Sequence, residues 1–207
     1  RGKPGLIAVT SKGDRFVSEA TDYHSFGRAM YANKQNGTIP CHFICDHQFV
    51  RKYGLGMVHP GATNLARAIR DGYVIKEDTI PDLAKTINVD SQNLSQEVTL
   101  QNKYAKTGKD EQFSKGENNY ERNLGDPSHG PNPCLGYIRT PPFYSIKVYP
   151  GDIGGSIGLV TDSNARVLNN NQQPIQGLFA CGNDMDSIMA GVYPGPGITI
   201  GPAMTFG

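Results

Sequence analysis

Short apolar clusters recur along the chain, separated by polar turns. Leu6-Ile-Ala-Val9 is an unbroken apolar run, followed by a turn at Lys12-Gly13-Asp14 and then by Arg15-Phe16-Val17. Two short strands joined by a Gly-Asp turn are expected there. Ser25 is placed to cap a helix through Phe26, Ala29 and Met30, which Asn36-Gly37 would end. Residues 42–45 form a short apolar strand pattern, after which Asp46 is suited to cap a helix closing at Tyr53-Gly54. Residues 62–71 predict a further helix, stopped by Gly72. Between residues 79 and 108 the apolar positions fall on two helical stripes. Leu83, Ala84 and Ile87 make the first; Leu94, Val98 and Tyr104 make the second, which starts at Asp90-Ser91.

Residues 109–136 lack such a stripe and are rich in turn formers, with Gly125-Asp-Pro-Ser-His-Gly-Pro-Asn-Pro133 as the extreme case. A long surface or domain-linking loop is the expectation. Residues 143–149 then alternate as a strand. Beyond Pro150 the composition shifts: residues 174–207 hold two charged side chains, Asp184 and Asp186, against seven glycines and four prolines. A segment so poor in charge should lie against something, and glycine lets a backbone come close to that partner. The chain therefore divides into a helical insert of about residues 24–145 and two flanking pieces of another domain.

Charge narrows the function classes. Twenty basic against nineteen acidic side chains leave a formal charge of +1 in 207 residues, which removes the electrostatic case for nucleic-acid or anionic-membrane binding. No apolar run approaches the roughly 20 residues of a spanning helix, and no basic-then-apolar leader opens the chain. The 25 glycines and 14 prolines, spread without a repeat, predict a loop-rich globular fold. Cys41, Cys45, Cys134 and Cys181 show neither CxxC nor histidine spacing for zinc, so reduced thiols in a cytoplasmic setting are expected. The chain opens on an arginine within turn-like sequence and stops on an apolar stretch, the pattern of a piece cut from a longer protein.

The last segment carries the chemistry. Pro174-Ile-Gln-Gly-Leu-Phe-Ala-Cys-Gly-Asn183 reads as a turn, a short buried strand and a Gly-Asn exit. Tyr193-Pro-Gly-Pro-Gly-Ile-Thr-Ile-Gly201 then feeds a helix-like start. A glycine-rich turn leading into a helix presents backbone N–H groups and the positive dipole end, which suits an anion or a group that becomes negative in reaction. The spacing Gly195-x-Gly197-x-x-x-Gly201 is not the dinucleotide GxGxxG, which occurs nowhere in the chain. Spacing alone leaves two readings open, a ligand-cradling loop and tight backbone packing.

Gly177-Leu-Phe-Ala-Cys-Gly-Asn-Asp184 together with Tyr193-Pro-Gly-Pro-Gly-Ile-Thr-Ile-Gly-Pro-Ala-Met-Thr-Phe-Gly207 resembles the C-terminal flavin-binding motif of FAD-dependent 3-ketosteroid dehydrogenases. These belong to the wider fumarate reductase and succinate dehydrogenase flavoprotein group. Gly158-Leu-Val-Thr-Asp-Ser-Asn-Ala-Arg-Val-Leu168 and Gly13-Asp-Arg-Phe-Val-Ser-Glu-Ala-Thr-Asp-Tyr23 resemble the same family. The likeness covers both flanks well and the middle loosely. It implies an α+β fold: a mainly helical substrate-binding (cap) domain with a small sheet at 24–145, flanked by pieces of a Rossmann-type FAD-binding domain. Residues 1–23 would be the linking strands and 146–207 the C-terminal FAD-binding segment.

The resemblance also implies roles. Backbone at Gly197, Ile198, Thr199 and Ile200 would face the flavin pyrimidine edge, with Gly182 and Asn183 at the ribityl chain. Many relatives carry a glutamate where Asn183 stands, and its amide can still hydrogen-bond a hydroxyl. Tyr193 and the Gly197 amide would donate to a steroid C3 carbonyl, stabilising enolate-like charge. Tyr23 would be the tyrosine base; a phenol titrates near ~10, so such a base needs a site that favours its anion. The implied reaction is 1,2-desaturation of a 3-ketosteroid, by proton abstraction and hydride transfer to FAD, in an enzyme completed by an N-terminal FAD-binding part. The fragment alone is then expected to be inactive and to hold little FAD.

Two alternatives stand beside it. A fumarate-reductase-like enzyme would clamp a dicarboxylate with arginines and a histidine, where this loop offers Tyr-Pro-Gly-Pro. A non-catalytic, cap-like module would only bind an apolar ligand or a partner. His24, His42, His47, His59 and His129 share no ligand spacing, and no metal is expected.

Overall fold

The computed structural model describes residues 1–152 and 154–207. They form two compact units, one of Arg1–Thr21 and Ser25–Pro150, the other of Asp22–His24 and Gly151–Gly207.

The first unit is built on a four-stranded antiparallel sheet. Strands β1 (Leu6–Val9), β2 (Cys41–Asp46), β3 (Ile75–Glu77) and β4 (Phe143–Val148) lie in the order β1-β2-β4-β3. Leu6 stands opposite Cys45, Cys41 opposite Val148, and Ile75 opposite Ser145. Alternation along β1 and β2 sends Leu6, Ala8, Cys41, Phe43 and Cys45 to one face. There they meet Phe26 and Met30 of α1 (Tyr23–Ala32) and Phe49 and Val50 of α2 (His47–Tyr53). Ile7, Val9 and Ile44 go to the opposite face, against Leu83 and Ala84 of α4 (Ile80–Thr86) and Leu94 and Val98 of α5 (Ser91–Thr107). Both faces are covered, which is why β1 is apolar at every position instead of alternating.

Local chemistry explains the helix ends. Asp46, Thr79 and Asp90 each accept a hydrogen bond from the backbone N–H three residues on, and so cap α2, α4 and α5. Gly108, at φ 76°, closes α5 in the left-handed conformation that glycine adopts without strain.

Several expectations are corrected. Helix α1 begins at Tyr23, so Ser25 lies inside it and is not its cap. The helix expected over 62–71 is the single turn and a half of α3 (Ala66–Arg70), closed before Gly72. Arg15 makes one bridge with Val9, not a strand. Residues 109–136 are not a surface loop: they contain α6 (Asn119–Leu124) and bury Asp110, Lys115, Glu121, Asp126 and Asn132. The reason is mutual satisfaction. Polar side chains enter a core when each finds charged or hydrogen-bonded partners, and hydropathy along the chain does not record such pairing. The edge strand β3 was also not foreseen, because it is short and partly exposed.

The second unit has a two-stranded antiparallel sheet of β5 (Arg166–Leu168) and β6 (Pro174–Phe179), with an irregular register between Arg166 and Leu168. A small core of Val167, Ala180 and Met185 receives Cys181 and Phe206, the latter from α7 (Ile200–Phe206). Strand β6 was expected to be buried and is exposed along its whole length. Phe179, Ile188, Val192, Ile200 and Met204 are exposed as well. The fold as a whole is mixed helix and sheet. Among the described residues no helix is long and apolar enough to cross a membrane.

Candidate active site

The glycine-rich turn of the second unit closes on Gly197, whose carbonyl accepts the Gly201 N–H at 2.7 Å. Gly197 has φ 99°, a conformation that side-chain-bearing residues rarely adopt. Helix α7 starts three residues later without a side-chain cap at Thr199. A Cβ built on Gly195, Gly197 or Gly201 would meet nothing within 4 Å. Packing within the described residues therefore does not account for the glycines at 195 and 201, whose backbone conformations are ordinary. That weakens the tight-packing reading of this loop. Gly182 differs: at φ 62° it lets Cys181-Gly182 pass Ala203, whose Cβ would stand 3.0 Å from an added Cβ.

The residues expected to meet a cofactor are distributed as follows. Gly182, Asn183, Ile198 and Thr199 line one small cleft with Ser156. Asn183 also lines an open groove of about 910 Å³ bounded by Ile157, Leu159, Phe179 and Phe206. Gly197 and Ile200 flank the small cleft in sequence without lining it. The two tyrosines expected to act on substrate come together: Tyr23 and Tyr193 meet edge to face, ring centroids 5.5 Å apart. Tyr23 is 65% exposed.

A second arrangement, in the first unit, was not foreseen as a site. Arg15 donates from Nε and Nη2 to both oxygens of Glu19, each at 2.9 Å, and from Nη1 and Nη2 to both oxygens of Asp110 at 3.1 and 3.0 Å. Lys115 Nζ stands 3.0 Å from Glu19 Oε2 and donates to the Leu6 carbonyl at 2.8 Å. Glu19 Oε1 accepts the Ala8 N–H at 2.9 Å. All four side chains are fully buried. Burial by itself would raise the Glu19 carboxyl, but the facing Arg15 and Lys115 cations and the Arg15 and Ala8 hydrogen bonds outweigh it and hold the carboxyl at about 2. The same carboxylates push the Arg15 guanidinium above its usual value against its own desolvation. The signal in the sequence was Arg15 and Glu19 spaced by four beside an apolar strand; nothing marked Asp110 and Lys115 as their partners.

The histidines are dispersed. Burial, reinforced by Lys147, lowers His42 to about 4, with its Nδ1 3.4 Å from the Ser145 hydroxyl. His129 Nε2 lies 2.9 Å from the Leu135 carbonyl. Among the described residues no three His, Cys, Asp or Glu side chains are grouped to hold a metal.

With this geometry in place, comparison with known proteins is specific. The family model of the FAD binding domain matches residues 1–200. The chain is 37% identical over 213 residues to the 3-oxosteroid 1-dehydrogenase of Mycolicibacterium smegmatis, covering 100% of this chain and 37% of that protein. It is 38% identical over 211 residues to the 4-oxocyclohex-2-ene-1-carboxylate 5-dehydrogenase of Sinomonas cyclohexanicum, covering 100% of this chain and 35% of the relative. The crystal structure of 3-ketosteroid delta1-dehydrogenase from Sterolibacterium denitrificans, in complex with 1,4-androstadiene-3,17-dione, superposes with a TM-score of 0.90 at 44% identity. That likeness covers 99% of this chain and 37% of the other. The chain thus spans little more than a third of the length of the relatives it matches. The match over residues 1–200 settles its membership: the chain belongs to the FAD binding domain family of flavoproteins.

Proposed function

We propose that this chain is part of a flavin-dependent dehydrogenase that introduces a double bond beside the carbonyl of an alicyclic ketone, with a 3-ketosteroid as the substrate class. In this reading the first unit is the substrate-binding cap, and the second is a C-terminal piece of the FAD-binding domain. The rest of that domain, with the groups that hold the pyrophosphate, is supplied by an N-terminal part of the same protein. The exposed apolar side chains of β6 and α7 are then the surface that this part covers. Residues 1–207 alone are expected to be inactive and to retain little FAD.

The single observation that carries the reading is the edge-to-face meeting of Tyr23 and Tyr193, next to a turn whose glycines open onto free space. The residues present fit one part of the cofactor. Bare backbone at Gly195, Gly197 and Gly201 admits a flat ring at close range, and the exposed Asn183 amide can both donate to and accept from ribityl hydroxyls. When bound, FAD supplies the acceptor for a hydride. The chain's own groups do the rest. Tyr193 Oη and the Gly197 N–H donate to the ketone oxygen, where negative charge develops as the neighbouring C–H is broken. Tyr23, acting as its phenolate, takes that proton and becomes the neutral phenol. A dicarboxylate substrate is disfavoured, since Tyr193-Pro-Gly-Pro196 brings no cation to the turn.

The steroid class rests on the 44%-identical neighbour, while the relative from Sinomonas cyclohexanicum keeps a smaller ring in view. Anaerobic mixing of the flavin-loaded enzyme with a panel of 3-ketosteroids and of 4-oxocyclohexane carboxylates decides between them. Bleaching of the flavin by steroids alone is expected. Bleaching only by the small carboxylated ketones overturns the substrate class, and bleaching by neither overturns the reaction.

A further inference from the structure

The buried cluster of Arg15, Glu19, Asp110 and Lys115 includes none of the candidate substrate or cofactor residues, yet its four side chains are fully buried and joined by ion pairs. We propose that these four side chains are positioning residues for Tyr23, fixing the short segment of chain that delivers it; the inference rests on the reading of Tyr23 as the proton acceptor.

Two cations and two carboxylates, all fully buried, are a poor means of stabilising a fold, because desolvation offsets most of their attraction and apolar replacements are often as stable. What forked guanidinium–carboxylate pairs do supply is directional geometry. Here that geometry is imposed on residues 15–21. Arg15 is held by Glu19, Asp110 and the Gln112 side chain. Glu19 and Lys115 occupy the free edge of β1, through the Ala8 N–H and the Leu6 carbonyl, so the segment is registered against the sheet. Ser18 Oγ donates to Glu121 Oε1 at 2.9 Å, and the carbonyls of Glu19 and Thr21 both accept from Arg1 Nη1 at 3.0 Å.

Tyr23 follows Thr21 by two residues. On its other side α1 is pinned by Phe26 and Met30, which are buried in the core of the first unit. Its backbone is therefore anchored both before and after. Tyr23 is 65% exposed and meets Tyr193 edge to face; anchoring through the chain adds to that contact in placing its ring. A base displaced by about 1 Å can lose about 10²-fold in rate.

The test is a cycle of variants in the flavin-loaded enzyme. Glu19→Gln/Lys115→Met removes one charge of each sign, so no unpaired ion is left in the core. This pair is expected to lower kcat by roughly 10- to 100-fold, with KM for the ketone and flavin occupancy within about twofold of the parent. The decisive readout is coupling: Tyr23→Phe, costly in the parent, should cost little more in the Glu19→Gln/Lys115→Met background. A purely structural cluster would lower thermal stability but leave the cost of Tyr23→Phe unchanged, and that result overturns the proposal. If the double variant does not fold, Arg15→Lys, which keeps the charge and loses the fork, is read through the same cycle. A Tyr23→Phe enzyme with parental rate overturns the assignment of Tyr23 itself, and this inference with it.

Discussion

The rings of Tyr23 and Tyr193 stand perpendicular, at 90°, with centroids 5.5 Å apart. Edge-to-face contact of this kind satisfies the ring quadrupoles, and it joins a residue from the first turn of α1 to one from the glycine-rich turn before α7. Both belong to the second unit by contact. Two phenols at one locus give a proposed site both a donor for a carbonyl and an acceptor for a proton.

Removing only the donor tests the first role. Tyr193→Phe keeps the ring and its contact with Tyr23. Turnover of ketone is expected to fall by about 10²–10³, or roughly 2.7–4 kcal/mol of transition-state stabilisation, as for loss of one oxyanion donor. Flavin content should stay at the parental level. Steady-state rates with a flavin absorbance spectrum on the same sample check both, and a parental rate would make this tyrosine structural.

The open glycines give a separate test of cofactor approach. Gly195→Ala and Gly201→Ala add a methyl group where nothing lies within 4 Å. Thermal unfolding should therefore be unchanged, or slightly raised for Gly201 inside α7, where alanine is the better helix former by about 1 kcal/mol. Flavin occupancy should nevertheless fall if a ring comes close to this backbone. Parental occupancy in both variants would count against close approach.

Acid should weaken the first unit in two stages. His42 titrates near 4 when folded and near ~6.5 when unfolded, so the unfolded chain binds the extra proton between these values. Stability therefore declines as pH falls from about 6.5 to 4. Glu19 is depressed to about 2, against an unfolded value near ~4.3. Its contribution, on the order of 3 kcal/mol, is whole above the unfolded value and is lost as pH falls towards 2. Urea midpoints measured from pH 7 to 2 should show both slopes, and His42→Gln should flatten only the upper one.

Breaking the buried cluster unevenly should be far worse than removing a balanced pair. Lys115→Met alone leaves two carboxylates facing one guanidinium, a cost of about 3–5 kcal/mol. Adding Glu19→Gln restores neutrality and should recover most of that loss. Chemical denaturation of the two variants side by side gives the comparison; equal stabilities would mean that charge balance is not what holds the cluster.

Much of the local architecture was legible in the order of residues. Asp46 and Asp90 start helices because a short side chain with an acceptor oxygen satisfies the N–H three residues on, and Gly54 and Gly108 end those two helices. These are interactions within a few residues, so spacing alone records them. The strands at β2 and β4 were equally plain, as was the charge-poor character of residues 174–207. The motif around Tyr193 carried the family likeness because glycines, prolines and one tyrosine at fixed spacing describe a backbone path.

What only the tertiary structure decided are the relationships between distant residues. Residues 109–136 read as a loop because their polar side chains count against burial one at a time. Asp110 and Lys115 enter the core only because Arg15 and Glu19 are already there to pair with them. The exposure of β6 ran the other way: an apolar strand is buried only when a second surface covers it, and strand propensity says nothing about that surface. The meeting of Tyr23 with Tyr193 is of the same kind. Sequence marks each ring as a candidate, but distance between rings is a property of the folded path, set by the sum of many packing contacts that no single stretch of sequence contains.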